Sequence, residues 1–409
     1  MKKWRFFTTV MASVTVFLIL GGAAPKHRIT WDDLKCDWYE VELTHGAGGG
    51  FSPVYLPFPQ KVGDRPETFS YAFSMLLSFK FDWVPDNIST RHPYFVYKID
   101  RRRFKDYSKP NKDFVVEYAS GWRATHVIGG RLVSSESGWG GQLDVYNREG
   151  MIILRKKYEP KFGYFELMGH MVIDWMAFRK QEVSEGLREE LILPMTSDMK
   201  TVKFLETAAF VKVRSKDEWL IYDRILDIDP DFGEVRAWKA NQMKWLDGDR
   251  KKADIERSIA LESHLIVMAL EEIYPTTLSN EEFKKKYYEE WLPRALQICP
   301  DNLDLIVAEL FTERLRDWPM EKVNGMLELV QEHPYHGKFI NTMAAIYYYK
   351  GIYEKAVPLY INALYSGYLW ATNKPKELMY KRIIEGLEEK GELEKAEIFR
   401  DMGKRNFSQ

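Results

Sequence analysis

The sequence predicts a small mixed α/β domain of α+β type, followed by an all-α solenoid of helical hairpins. Three observations predict it: strand and helix signals alternate from Pro53 to Lys180, no strand signal follows Glu185, and Pro300 and Pro334 lie 34 positions apart, each where a helical hairpin would end. Over 409 residues, 45% hydrophobic and 29% charged is the balance of packed globular structure, with room for two domains. The net charge of −1 gives no electrostatic reason to expect a nucleic-acid partner.

The N-terminus reads as an export signal. Lys2, Lys3 and Arg5 precede the uncharged run Phe6 to Leu20, and Gly21-Gly22-Ala23 sets small residues where a signal peptidase needs them, so residues 1–23 are expected to be removed before Ala24. The same run, taken to Ala24, is long enough to stay as an inner-membrane anchor, although Thr8, Thr9, Ser13 and Thr15 dilute it. Under either reading the body of the chain lies outside the cytoplasm, periplasmic or secreted. Ala24 stands where a lipoprotein would have cysteine. Cys36 and Cys299 fall in different predicted domains, which excludes a disulfide framework; they read as two free thiols, with one bridge between them allowed in an oxidising compartment. Residues 24–52 are irregular, and the cluster from His45 to Gly50 precedes a strand, so it reads as a linker and not a phosphate loop.

The α/β domain is assigned to 53–181. Val54-Tyr55-Leu56 is a short apolar strand, and Glu67 to Phe81 carries Phe69, Phe73, Leu76, Leu77 and Phe79 mostly at helical spacing. Tyr94 to Ile99 reads as a strand, and Phe114 to Trp122 as a helix capped by Asn111. His126 to Gly130, Gln142 to Tyr146 and Met151 to Leu154 are three more strands, with Asn147 to Gly150 a turn. The last helix, Tyr164 to Phe178, is expected to bury Leu167, Met171, Trp175 and Phe178 on one face. That order implies a mixed sheet with helices on one side.

Leu56-Pro57-Phe58, Gly63-Asp64, Ala119 and Ala124 through Gly130, Leu143-Asp144-Val145 and Glu149-Gly150 follow one another in an order that resembles the TolB amino-terminal-like domain. That family is an α/β module of envelope proteins, also found beside tetratricopeptide repeats in bacterial regulators. TolB itself continues into a β-propeller and this chain into helices, so the resemblance implies nothing about the propeller's partners.

A helical connector over 182–230 holds helices at Ser197 to Val213 and Lys216 to Leu226, stopped at Asp229-Pro230. The region 231–409 carries a second resemblance. Ala344 and Tyr347, then Gly351-Ile-Tyr-Glu-Lys-Ala356, then Leu359, Tyr360, Ala363 and Leu364 resemble one tetratricopeptide repeat, a hairpin of about 34 residues. Registered on Ala344 and Ala356, units fall at Glu234–Val267, Ala269–Asn302, Leu303–His336, Gly337–Trp370 and Glu377–Gln409. The second is irregular because Pro275 interrupts its first helix. The residues expected to pack the hairpins are Ala344, Tyr347, Gly351, Tyr353, Ala356, Tyr360, Ala363, Gly391 and Ala396, with alanine or glycine where helices touch.

No Gly-x-Ser-x-Gly elbow, His-Glu-x-x-His, phosphate loop or Cys-x-x-Cys occurs, and no catalytic, cofactor or metal residue is assigned. His333 and His336 flank Pro334 without other ligands, and His126 and His170 read as packing residues. The basic run Lys98, Arg101, Arg102, Arg103, Lys105, Lys109 and Lys112 is interspersed with aspartates and reads as a solvated face. By resemblance, the repeat groove would present Lys338, Asn341, Ala345, Tyr348 and Tyr349, with Asp304, Phe311 and Arg314 from the preceding unit. Lysine and asparagine one turn apart suit a peptide carboxylate, and tyrosines give flat contact area. The expected function is a non-catalytic exported envelope protein that scaffolds or recruits protein partners, either an envelope component or a peptide segment, through this groove, without nucleic acid or cofactor. Membrane association would come through residues 6–24 if these are retained. The alternatives are a periplasmic sensor whose α/β domain binds a small ligand, and an exported hydrolase.

Overall fold

The structure, a computed structural model, describes residues 51, 53–62, 68–85, 87, 104–122, 124–208, 211, 216–243, 250–263, 280–310, 317–332, 337–366 and 373–407. The segment expected to be an export signal, Cys36, Gly63-Asp64, the strand expected at Tyr94 to Ile99, most of the basic run, Pro275, Phe311, Arg314, His333 and His336 lie outside these residues, as does the side chain of Lys338. Among the described residues, no helix is long and apolar enough to cross a membrane. Two compact units emerge. One covers Leu43–Phe339 with Ser366–Tyr368, and the described residues of the other come from Ile340–Tyr365 and Leu369–Gln409.

The larger unit opens on a six-stranded mixed sheet, β1 (Pro53–Tyr55), β2 (Phe58–Val62), β3 (Thr68–Ser70), β4 (His126–Ser135), β5 (Gly138–Asn147) and β6 (Ile152–Phe162). The order is β3-β2-β4-β5-β6, with β1 beside β2 along the same edge of β4. Both short strands run parallel to β4, while β4, β5 and β6 form an antiparallel meander. The turn between β5 and β6 falls at Asn147 to Gly150, as the sequence predicts. The Asn147 side chain accepts from the Met151 amide at 2.9 Å, and Gly150 takes φ +75°, a left-handed conformation that glycine adopts at little cost.

Helices cover both faces of this sheet, where one face was expected. On one side lie α1 (Tyr71–Phe81) and α4 (Tyr164–Phe178), packed with Tyr55, Phe58, Ile128, Leu143 and Val145. On the other, α2 (Phe104–Ser108) and α3 (Lys112–Trp122) bring Tyr107, Phe114, Val115 and Ala119 to Val54, Leu56, Val127 and Tyr146. Neighbouring strand residues point to opposite faces, so the unbroken apolar run Val54-Tyr55-Leu56 demands cover on both. The Asn111 side chain caps α3, accepting from the Phe114 amide at 2.9 Å. The α1 helix begins at Tyr71, not Glu67. Phe69 belongs to β3, and Ser70 is the N-cap, accepting from Phe73 N at 3.2 Å. In α4, Leu167, Met171 and Trp175 are buried as expected, each contributing about 1.5–3 kcal/mol as an upper bound, but Phe178 is 46% exposed and only stacks on the Trp175 ring.

Most of the helices that follow share the core of the sheet, although Ala240, Met243 and Ala253 form a small cluster of their own. These helices are α5 (Glu185–Ile192), α6 (Met199–Ala208), α7 (Lys216–Ile228), α8 (Gly233–Gln242), α9 (Arg250–Ser263), α10 (Glu281–Lys286), a π turn at Tyr287–Trp291, α11 (Leu292–Ile298), α12 (Leu303–Leu310) and α13 (Met320–Glu332). One hydrophobic cluster runs from Phe51 to Ala308 and takes in the sheet, α1, α4 and residues of α5 through α12. The π turn directly precedes Pro293, whose missing N–H and bulky ring disfavour an ordinary α-helical turn.

Polar contacts tie the helices to α1 and its end. Asn302 donates to Asp82 O at 3.0 Å, and the Cys299 thiol to Trp83 O at 3.4 Å. Lys80, fully buried on α1, donates to Leu191 O at 2.6 Å and Leu193 O at 3.0 Å, carbonyls at the end of α5. Burial lowers the Lys80 pKa to about 7, against the opposing pull of Glu234 and Glu190. Between that value and the ordinary lysine value near 10.5 the unfolded chain holds a proton that the folded protein does not, so stability rises with pH across this window by at most about 1.4 kcal/mol per unit. Below the window the cost of burying the charge is fully present. Urea unfolding from pH 7 to 10 should therefore show a rise in wild type that Lys80→Met lacks; parallel curves would contradict it.

The smaller unit consists of α14 (Gly337–Tyr349), whose first residues belong to the larger unit, α15 (Tyr353–Ser366), α16 (Asn373–Glu389) and α17 (Leu393–Phe407). The span Leu303–His336 holds α12 and α13, and Gly337–Trp370 holds α14 and α15, while α8 begins one residue before Glu234 and is followed by α9. The last pair starts four residues before its expected position because α16 is 17 residues long.

Candidate functional site on the C-terminal hairpins

Two turns of the same construction shape this surface. Gly351 ends α14 at φ +72° while its amide donates to Tyr348 O at 3.0 Å and the Ile352 amide to Tyr347 O at 2.9 Å. At Gly391, φ is +74°, and Gly391 and Glu392 donate to Glu388 O and Leu387 O at 2.9 and 2.8 Å. Both are Schellman motifs, in which a left-handed glycine lets the chain satisfy the last carbonyls of a helix.

This revises the reason for the two glycines. A Cβ on either would meet nothing within 4 Å, so they serve the turn and not helix approach. The close approach is at Gly386, where a Cβ would come within 2.5 Å of the Val357 side chain of α15. The remaining packing residues are buried as expected: Ala344, Ala356, Tyr360 and Ala363 fully, and Tyr347 and Ala396 nearly so, while Tyr353 is half-buried.

Among the residues expected to face a partner, Asn341 is half-buried, Ala345 is buried and Tyr349 is 46% exposed. The tyrosine hydroxyls already have partners on α16. Tyr348 donates to Glu385, and Arg382 donates to Tyr349 Oη and Tyr360 Oη, each at 2.6 Å. The Arg382 guanidinium also lies over the rings of Tyr348, Tyr349 and Tyr360, at 5.4, 5.0 and 5.6 Å from their centroids. Burial, reinforced by the bond to Glu385, pushes the Tyr348 phenol up to about 12, so it stays a neutral donor. What remains open is the edge of Tyr349, braced by Arg382, while the half-buried Asn341 lies about two turns earlier on α14. Sequence reasoning missed Arg382, because the register sets the last unit 40 positions after the one before it and so pairs Tyr348 with Glu388.

Reactive chemistry is scarce among the described residues. No group of three or more His, Cys, Asp or Glu side chains is placed to hold a metal ion. Cys299 is a buried free thiol, and burial, with Asp301 nearby, pushes its pKa up to about 12, far from a reactive thiolate. His126 packs its ring against Phe51 and Trp175, and His170 packs on Phe162 with Glu166 at 3.7 Å. A cleft of about 400 Å³ between α16 and α17 is lined by Glu377, Lys381, Glu388 and Arg400, among others. Arg400 there is bonded to Glu388 and Glu397, so the lining charges largely answer one another.

No protein-family model matches the chain, and no curated protein is significantly similar to it.

Proposed function

We propose that this chain is a non-catalytic exported protein that recruits a protein partner through the surface of its C-terminal helical hairpins. In this reading the hairpins belong to a tetratricopeptide-type solenoid, and the sheet with its flanking helices is a TolB amino-terminal-like domain. One observation carries it. Arg382, on the first helix of the last hairpin, lies over the ring of Tyr348, on the first helix of the hairpin before it, so corresponding helices of successive hairpins are neighbours, as stacking requires. Stacked hairpins offer continuous surfaces, and a tyrosine braced by a guanidinium gives contact area at little entropic cost. The export signal at residues 1–23 puts the partner in the cell envelope.

A photo-crosslinking amino acid at position 349, compared with one at Leu220, tests the assignment in cells. Leu220 is also exposed, at 64%, and lies on α7 of the larger unit. A discrete protein adduct is expected from position 349 alone. Equal adducts from both positions, or none from 349, would count against the reading.

A further inference from the structure

We infer that the outer edge of β6 is a second docking site, taking an extended acidic segment of a partner protein as an added strand. β6 ends the strand order, so among the described residues one of its two edges has no strand beside it. It is also long, spanning Ile152 to Phe162, with Pro160 near its end. An exposed strand edge presents unpaired amides and carbonyls at regular spacing, the template for β-strand addition.

The side chains specify the occupant. β6 carries Arg155, Lys156, Lys157 and Lys161 against a single acidic residue, Glu159, a net +3 in a chain whose total is −1. Register with β5 puts Arg155 and Lys157 on one face, opposite Asp144 and Gln142, and Leu154, Lys156 and Tyr158 on the other, opposite Val145, Leu143 and Gly141. Arg155 is committed to Asp144 at 2.6 and 3.0 Å, and Lys156 is 3.5 Å from Asp174. Lys157 is exposed and makes no ion pair among the described residues. An incoming strand with carboxylates on the Lys157 face and apolar residues on the Leu154 and Tyr158 face complements both sides at once. Lysines and a proline on an edge also discourage self-association, and that role alone would require no acidic partner.

A labelled peptide of about ten residues, alternating glutamate and valine, is the probe, with a lysine and valine peptide as control. Fluorescence anisotropy on the full chain at low salt should show binding of the acidic peptide only, weakened about fivefold or more by Lys157→Glu. Hydrogen exchange should slow over residues 152–159 when the acidic peptide binds. The inference is overturned by absence of binding, by equal affinity of Lys157→Glu, or by protection that appears elsewhere and spares β6. None of these outcomes bears on the hairpin surface, which has its own tests.

Discussion

Glu206→Ala should destabilise the larger unit by about 2–3 kcal/mol, because it strips a partly buried carboxylate from three donors at the start of α1. Glu206 comes from α6, more than 130 positions later in the chain. Its carboxylate accepts from Ser70 Oγ at 2.7 Å, Tyr71 N at 2.9 Å and Ala72 N at 3.1 Å. Those amides belong to the first turn of α1, where no intrahelical acceptor exists and where the helix dipole favours negative charge. Alanine would leave two amides and a hydroxyl without their acceptor in a partly buried site. Glu206→Gln keeps one acceptor oxygen and should cost less than half as much. Burial raises the Glu206 pKa, partly offset by these three bonds, so the cost of ionisation is fully present above the raised pKa and fades as pH falls through it towards the ordinary carboxylate value. Acid should therefore not break this contact selectively. Urea unfolding of the three proteins at pH 7 measures the effect; a loss under 1 kcal/mol for Glu206→Ala would show that α6 does not cap α1.

Gly169→Ala should cost about 2–3 kcal/mol, against the usual trend for a helix. Within an exposed helix this change gains about 1 kcal/mol, since glycine has the greater freedom to lose. Gly169 lies inside α4, however, and a Cβ there would stand 2.3 Å from Leu191 O and 2.7 Å from Leu191 C. Backbone cannot rotate away as a side chain can, so α4 and α5 would have to separate. Gly325→Ala is the control. It sits in α13 with nothing within 4 Å of the added carbon and should be neutral or stabilising. Thermal melts should fall for Gly169→Ala and hold or rise for Gly325→Ala; a fall of equal size in both would contradict the contact with Leu191.

These positions also show where sequence reasoning reached and where it stopped. Local signals were legible: the Asn111 cap, the turn at Asn147 to Gly150, and α4 from Tyr164 to Phe178. Period and cap residue are properties of neighbouring positions, and they mark an element without knowledge of the fold. Phe69 misled because one apolar residue at helical spacing looks the same in a strand, and only the Ser70 cap separates the two. Lys80 was a signal left unused, a lone charge inside the apolar run from Phe73 to Phe81. Glu206 and Gly169 had no local mark at all. Their partners are Ser70 and Leu191, distant in sequence, and nothing near either residue announces the contact. At the candidate site, the register placed Tyr348 and Tyr349 on α14 but could not show that Arg382 and Glu385 would engage their hydroxyls.

The most direct measurement of the central claim is affinity capture from cell-envelope extract with wild type and with a Lys338→Ala, Asn341→Ala double variant. Asn341 is half-buried on α14, and the exchange to alanine favours the helix. The proposed function predicts that wild type recovers a defined set of envelope proteins and that the double variant, equally folded by circular dichroism, loses most of it. Recovery of the same proteins at the same level would contradict the assignment of the hairpin surface.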